Sequence, residues 1–391
     1  MSAETVQSAT GRGSRVRVVH FADMVNRHDF IHNVAAHCDR VRVDLSVVTL
    51  DARGTLNSDP GNLRVHDLGC TGRMAYPRAL LRLRHLLRRE RVAILHSHHF
   101  EPSLLAAVAT FGLPTRLVLG RHYSDTIHKF SRGLRRRLYL GLEGFCNARA
   151  SVVVAPSTVV ERILMQQGVA PSKIARIPYG LDLGRFEVPA ESVRRPLEQE
   201  WPANEGLRLL TVGRLHPEKG QEYLLEAVVQ LLREGGTATR LLLVGDGPDH
   251  KRLAAIAGEL GIANATRFLG WRSDVLALMA TADVVVQPTL NEAFSQVMLE
   301  AMAMGRALVM TDVGGVRDVI EDGVSGLVVP IRDAGALAAA IRALGDRNLR
   351  ARLGGNAAQR IRDRLDVRRI VRQFETLYLR VAGDGDTSVA V

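Results

Sequence analysis

A chain of 391 residues is too long for one compact core and predicts two domains of roughly 150–200 residues each. With 46% apolar residues, 24% charged residues and a mean hydropathy of +0.01, it is neither a disordered chain nor a membrane-spanning one. The net charge of +11 asks for an anionic partner: nucleic acid, an acidic membrane or a phosphorylated substrate.

Residues 1–14 are polar, lack an apolar signal segment and are expected to be disordered, so a cytoplasmic enzyme is the expectation. From there the first half alternates short β-branched runs with helical patterns. Strands are predicted at 15–20, 43–50, 63–68, 92–96, 115–119, 151–155 and 173–177, and helices at 77–89, 104–111, 134–147 and 158–167. Continuous apolar strands separated by helices predict a parallel sheet covered on both faces. The stretch 188–206, with Pro189, Pro196 and Pro202 among mixed charges, reads as a linker.

A second alternation follows. Strands are predicted at 207–212, 240–244, 266–269, 284–287 and 307–311, and helices at 221–233, 250–260, 273–281 and 295–304. A short strand at 326–329, helices at 334–344, 349–363 and 367–382, and a disordered tail at 383–391 complete the chain. The fold class is therefore α/β, with two doubly wound, Rossmann-like domains facing a central cleft. Cys38, Cys70 and Cys146 are too widely spaced for a disulfide framework or a cysteine zinc site.

The charge is unevenly spread. Residues 1–190 hold 27 basic against 15 acidic side chains, and the remainder hold 25 against 26. Much of the excess sits in two amphipathic segments, 73–91 and 129–137.

Ligands in such sheets sit beyond the carboxyl ends of the strands. After Val212 comes Gly213-Arg214-Leu215-His216-Pro217-Glu218-Lys219-Gly220 and then a helix. Two cations five apart, glycines at both ends and a following helix N-terminus make a phosphate clamp. Gly245-Asp246-Gly247-Pro248 is a second loop whose glycines permit close approach of a ligand, and a plain turn explains it equally well. In the third, Pro288-Thr289-Leu290-Asn291-Glu292-Ala293-Phe294, Ser295 is the expected N-cap, and Glu300 lies further along the helix. Carboxylates at such a place suit sugar or ribose hydroxyls, each accepting two hydrogen bonds from a diol.

VGRLHPEKG, LVGDGP, RFLGW and ADVVVQPTLNEAFSQVMLEAMAMGRALVMTDVGGVRDVIEDGVSGLVV together resemble the donor domain of the retaining glycosyltransferases of family 4, which have the GT-B fold. The order and spacing match over roughly residues 207–330. The resemblance implies a nucleotide-diphosphate sugar held in the second domain, with no cofactor and no metal. Arg214 and Lys219 would contact the diphosphate, Glu292 the donor-sugar hydroxyls, amides around Ala293, Phe294 and Ser295 the sugar and phosphate, and Glu300 the ribose. The backbone near 268–271, ending at Trp271, would flank the base, and Gly213, Gly245 and Gly247 would border the donor. The catalytic set is then Glu292, His122, Arg214 and Lys219.

The first half resembles the family through SVVVAPSTVVERILMQQGVAPSKIARIPYGLDLGRF, in which Ser157 keeps its usual place and Tyr179 stands where the family has Asn. His122, in LVLGRHYSD, follows a strand where the family has a His near the donor sugar. His96, His98 and His99 follow another strand. The histidine pair on one face admits a metal reading, disfavoured because the family neutralises charge with Arg and Lys, and His98 and His99 are placed toward the acceptor. The loop Phe21-Ala22-Asp23-Met24-Val25-Asn26-Arg27 lacks the glycine pair the family has there.

The domain plan is accordingly 15–187 for the acceptor, 188–206 as linker, 207–366 for the donor, and a helix at 367–382 crossing back to the N-terminal domain. The expected function is retaining transfer of a hexosyl unit from a UDP- or GDP-sugar to a hydroxyl of a glycan or lipid-linked acceptor, in cell-surface glycan or polysaccharide synthesis. A nucleotide-sugar epimerase or hydrolase and a non-catalytic nucleotide-sugar-binding subunit are the alternatives. The basic clusters of the acceptor half admit two readings, solvated helices that pack their leucines inward, or a surface for an anionic acceptor or for the inner face of the cell membrane that carries it. Nucleic acid is not an expected partner, because there is no helix-turn-helix, zinc motif or aromatic platform and aromatics are 5%.

Overall fold

The computed structural model describes residues 15–23, 30–51, 63–122, 133–186, 191, 206–233 and 239–383. Most of the linker read at 188–206, the terminal segments, residues 24–27 of the first loop and 129–132 of the second basic cluster lie outside the described residues.

The inner β-branched runs form strands because both of their faces are buried, whereas the edge strand Arg64–Asp67 is largely exposed. β1 (Val16–Ala22), β2 (Val43–Thr49), β3 (Arg64–Asp67), β4 (Ile94–His98), β5 (Arg116–Gly120), β6 (Val152–Ala155) and β7 (Ile174–Arg176) make a seven-stranded sheet in the order β3-β2-β1-β4-β5-β6-β7. Its centre is parallel, with Val18 opposite Leu45 on one side and Ile94 on the other, all essentially inaccessible. β8 (Leu207–Val212), β9 (Thr239–Val244), β10 (Thr266–Phe268), β11 (Val284–Gln287), β12 (Ala307–Thr311) and β13 (Leu327–Val329) make a six-stranded sheet in the order β10-β9-β8-β11-β12-β13. These are two Rossmann-like parallel-sheet α/β domains.

In the second sheet the chain winds one way from β8 to β9 and the other way to β11. The loops after β8 and β11 therefore diverge from adjacent strands, which opens a crevice at the strands' carboxyl ends. Leu209, Leu241, Leu243, Val284, Val286 and Val309 fill the sheet's core against helices Gln221–Arg233 and Ala334–Ala343.

By density of contacts the chain divides into two compact units. One comprises the chain through Gly120, Phe145–Val153 and the segment from Val371; the other comprises Arg121–Gly144 and Val154–Ile370.

The first unit has a polar knot in its core. His20 at the end of β1 and His96 and His98 on β4 are at most 1% exposed, as is Tyr378 on the C-terminal helix Val367–Gly383. His98 Nε2 lies 2.9 Å from His20 Nδ1, His20 Nε2 lies 3.0 Å from the Tyr378 hydroxyl, and that hydroxyl lies 2.8 Å from His96 Nδ1. Burial drives the His20 imidazole down to about 3, so the ring is neutral at any working pH. Ligand atoms of the three histidines lie within 4.8 Å of one another, a spacing open to a metal ion; here Tyr378 links His20 to His96, and His98 contacts His20 directly.

Helix Tyr76–Arg89 carries most of the first basic cluster. Its stripe Ala79, Leu83 and Leu87 is buried, and two of its arginines serve the fold: Arg82 donates to Leu68 O at 2.7 Å, and Arg84 donates to Ala109 O at 2.8 Å. Arg78 and Arg88 remain on the surface beside Leu81. Helix Gly133–Arg149 likewise exposes Arg135, Arg136 and Arg137 with Leu134 and Leu138.

Candidate active site

Backbone geometry joins the three loaded loops of the second unit. Gly213 N donates to Val244 O at 2.9 Å and Leu215 N donates to Asp246 O at 3.0 Å. A Cβ on Gly245 would lie 2.0 Å from Gly213 O, and one on Gly247 would lie 2.2 Å from Leu215 O. The close approach these glycines permit is thus of one loop backbone to the other. Gly220 (φ 62) is likewise pressed on the third loop, where a Cβ would meet Pro288 O at 2.3 Å, and Leu290 N donates to Glu218 O at 2.8 Å.

That stitching brings two of the sequence-read residues into contact. Lys219 Nζ is 3.1 Å from Glu292 Oε2, with side chains 27% and 20% exposed. Arg214, whose carbonyl accepts from Gln221 Nε2 at 3.1 Å, is exposed and makes no ion pair among the described residues. Trp271 is 76% exposed, directly after Gly270 at φ 64.

The loop bearing Glu292 is held from the far side. Gly314 takes φ 51 with its Cβ position 2.0 Å from Glu292 O, and Gly315 N donates to Ala293 O at 3.0 Å. Ser157 caps helix Thr158–Gln166, accepting from Val160 N, and its hydroxyl also donates to Ala293 O at 3.2 Å. Ser295 caps helix Gln296–Ala303 by accepting from Met298 N at 3.3 Å, as the sequence predicts. The free amides of that helix and its dipole favour an anion beyond it.

Glu300 is half-buried one turn on. Burial raises its carboxyl above the ordinary range, against the opposing effects of a Gln296 hydrogen bond and the nearby Arg185 charge. Arg185 is a neighbour that sequence reasoning passed over.

His122 follows β5. Next to it the buried Arg121 ion-pairs with Glu143, and Arg121 N donates to Val154 O at 2.9 Å, which fixes the backbone under the imidazole. His122 Nδ1 is 2.6 Å from the Tyr179 hydroxyl, and the two rings stack at 5.7 Å and 21°. Tyr179 in turn meets Phe294 edge-on at 5.3 Å. Burial, reinforced by the Glu292 charge, holds the Tyr179 phenol well above its ordinary range. In the sequence Tyr179 stands out only as a departure from the family; its place beside His122 shows what that position touches.

The two histidines read toward the acceptor separate. His98 is enclosed in the polar knot, and its Nε2 is committed to His20. His99 is exposed, at φ 65, just before helix Phe100–Ala109.

Residues 206–347 match the family described as "Glycosyl transferases group 1", and residues 29–185 match "Glycosyltransferase Family 4". The alpha-D-kanosaminyltransferase of Streptomyces kanamyceticus is 29% identical over 294 residues, 71% of this chain and 75% of that protein. The phosphatidyl-myo-inositol mannosyltransferase of Mycolicibacterium smegmatis is 32% identical over 297 residues, 75% of this chain and 72% of that protein. Among solved structures, Anabaena Alr3699/HepE in complex with UDP superposes with a TM-score of 0.79 at 23% identity, covering 93% of this chain and all of that one. Parallel sheets wound about a switch point, loops tied at their strands' carboxyl ends and matches in both halves converge: the chain belongs to the family 4 glycosyltransferases of GT-B fold.

Proposed function

We propose that this enzyme transfers a hexosyl unit, with retention, from a nucleotide-diphosphate sugar to a hydroxyl of a glycan or lipid-linked acceptor in cell-surface glycan synthesis. The observation that carries the reading is the Lys219–Glu292 pair at the switch point, beside a helix N-terminus capped by Ser295. An ammonium fixed by a carboxylate is prepositioned for the leaving diphosphate, and the carboxylate is an acceptor for sugar hydroxyls. Arg214, without an ion pair among the described residues, supplies the second cation. As the bond from the anomeric carbon to the diphosphate breaks, the acceptor oxygen attacks from the same face and its proton passes to the departing phosphate oxygen.

In this reading the Tyr179 phenol, held protonated, is the donor to His122 Nδ1, the tautomer that puts the imidazole proton on Nε2. Tyr179→Phe is expected to lower kcat about tenfold, the worth of one hydrogen bond of about 1–1.5 kcal/mol, with KM little changed. Steady-state kinetics that show no change in kcat would remove Tyr179 from this role.

Glu300 holds the ribose only as a carboxylate. Because its pKa is raised, it takes up a proton at higher pH than an ordinary glutamate. Nucleotide affinity is therefore expected to fall as the pH is lowered from neutrality into the acid range, at a higher pH than an ordinary glutamate would give, and Glu300→Gln is expected to bind weakly with a flatter profile. Calorimetric titration across that range checks both.

The direct test is a thermal-shift and turnover screen of UDP- and GDP-sugars with and without acceptor. UDP comes first, because the Anabaena protein of the same fold is in complex with it. Stabilisation by one nucleotide with turnover only when acceptor is present supports transfer. Donor consumption without acceptor would instead indicate hydrolysis or epimerisation.

The enzyme works in the cytoplasm against the anionic inner face of the membrane. Arg78 and Arg88 with the 69% exposed Leu81, and Arg135–Arg137 with Leu134 and Leu138, support that association. The protein is expected to sediment with anionic but not neutral vesicles at low salt; equal binding to both would remove the electrostatic component.

A further inference from the structure

The second unit contains a cavity of about 250 Å³ between Pro156, Pro178, Phe294, Val319 and Leu365. Three arginines line it, Arg176, Arg360 and Arg364, with Asp318 the one acidic residue among the described lining residues. Asp318 is already engaged, accepting from Thr158 N at 2.6 Å and from the Thr158 hydroxyl. Arg176 donates to Thr158 Oγ1 at 3.0 Å and lies 3.4 Å from Glu161, and Arg360 lies 3.2 Å from Glu321.

The positive charge is incompletely answered. Arg360 Nε is buried and makes no hydrogen bond among the described residues. The Arg364 side chain is exposed and makes neither a hydrogen bond nor an ion pair among the described residues. The two stand four apart on helix Arg347–Arg364, where like charges face one another and repel. The helix dipole favours cations in a last turn, but it does not account for their sharing a cavity with Arg176 at the end of β7.

We infer that this cavity is a second anion-binding site, taking a small phosphate-bearing molecule. Planar guanidinium forks match phosphoryl oxygens, the apolar walls suit a short carbon body, and the volume is below that of pockets for drug-sized ligands. Phe294 belongs both to this wall and to the loop that carries Glu292, so an occupant adjoins the donor loop. The inference stands independently of the diphosphate assignment to Arg214 and Lys219.

Calorimetry with inorganic phosphate and pyrophosphate separates the two. In Arg214→Ala/Lys219→Ala enzyme, where the donor-loop cations are gone, one saturable phosphate site is expected. Adding Arg364→Glu, a change at an exposed and unpartnered position, is expected to weaken it at least tenfold, and Arg360→Ala to weaken it further. No saturable binding up to about 10 mM phosphate, or binding indifferent to both arginine changes, would overturn the site. If Arg214→Ala/Lys219→Ala removes no pyrophosphate binding relative to wild type, the donor assignment fails while this one stands. Glycerol 3-phosphate and phosphatidic acid vesicles form the last arms: binding of the soluble ester supports the site, and binding confined to vesicles overturns it.

Discussion

Replacing Glu292 by Gln is expected to lower transfer by about 10²–10³-fold, the scale of losing one preorganised polar contact to the reacting group, with little change in folding. The side chain is 20% exposed and reaches Lys219 at 3.1 Å, so the amide fits the same space. Two things are lost. On the proposed function, the amide presents an N–H where sugar hydroxyls would need an acceptor, and without its charge it holds less firmly the ammonium proposed to meet the diphosphate. A partly exposed ion pair contributes about 1 kcal/mol or less to stability, so the melting temperature should barely move while kcat collapses. Because the two residues act as a unit, Lys219→Met and the double variant are expected to be non-additive, the double variant costing little more than the worse single one. Glu292→Gln enzyme that retains more than about a tenth of wild-type kcat would remove this contact from the chemistry.

The same pair shows where sequence reasoning stops. Each loop was legible by itself, because glycines, a capping serine and charges after a strand have local causes. That Lys219 touches Glu292 depends on the Gly220 backbone lying against Pro288, a contact between strands that are neighbours in the sheet but far apart in the chain. Strands were legible because burial on both faces demands unbroken apolar runs. The helix Phe30–His37 was not: it is eight residues long, with two histidines and an asparagine that mask its apolar face. The next discrepancy is the helix predicted from 104, which begins at Phe100, because His99 turns the chain at φ 65 and Pro102 sits in the first turn, where it costs no hydrogen bond. His20 passed as an ordinary strand residue; only the fold sets it beside His96, His98 and Tyr378.

Gly245→Ala is expected to be the most damaging single-methyl change in the molecule's second unit. The residue holds φ 131, which L side chains rarely adopt, and its new Cβ would lie 2.0 Å from Gly213 O and 2.8 Å from Gly213 C. Neither neighbour can yield cheaply. Gly213 N is bonded to Val244 O, and Gly245 N is bonded to Gly270 O at 2.8 Å. Backbone strain together with a backbone clash costs about 3 kcal/mol or more, which lowers the melting temperature by roughly 6–12 °C for a domain of this size. Gly258→Ala is the control: it lies in helix His250–Glu259 with nothing within 4 Å of its Cβ position, and alanine there should stabilise by about 0.5–1 kcal/mol. Separating the β8 and β9 loops also displaces the segment from Arg214 to Lys219, so nucleotide affinity should fall in Gly245→Ala and stay unchanged in Gly258→Ala. Equal melting temperatures for the two variants would show that Gly245 does not hold the loops together, and the donor loops would then need another account of how they are kept in register.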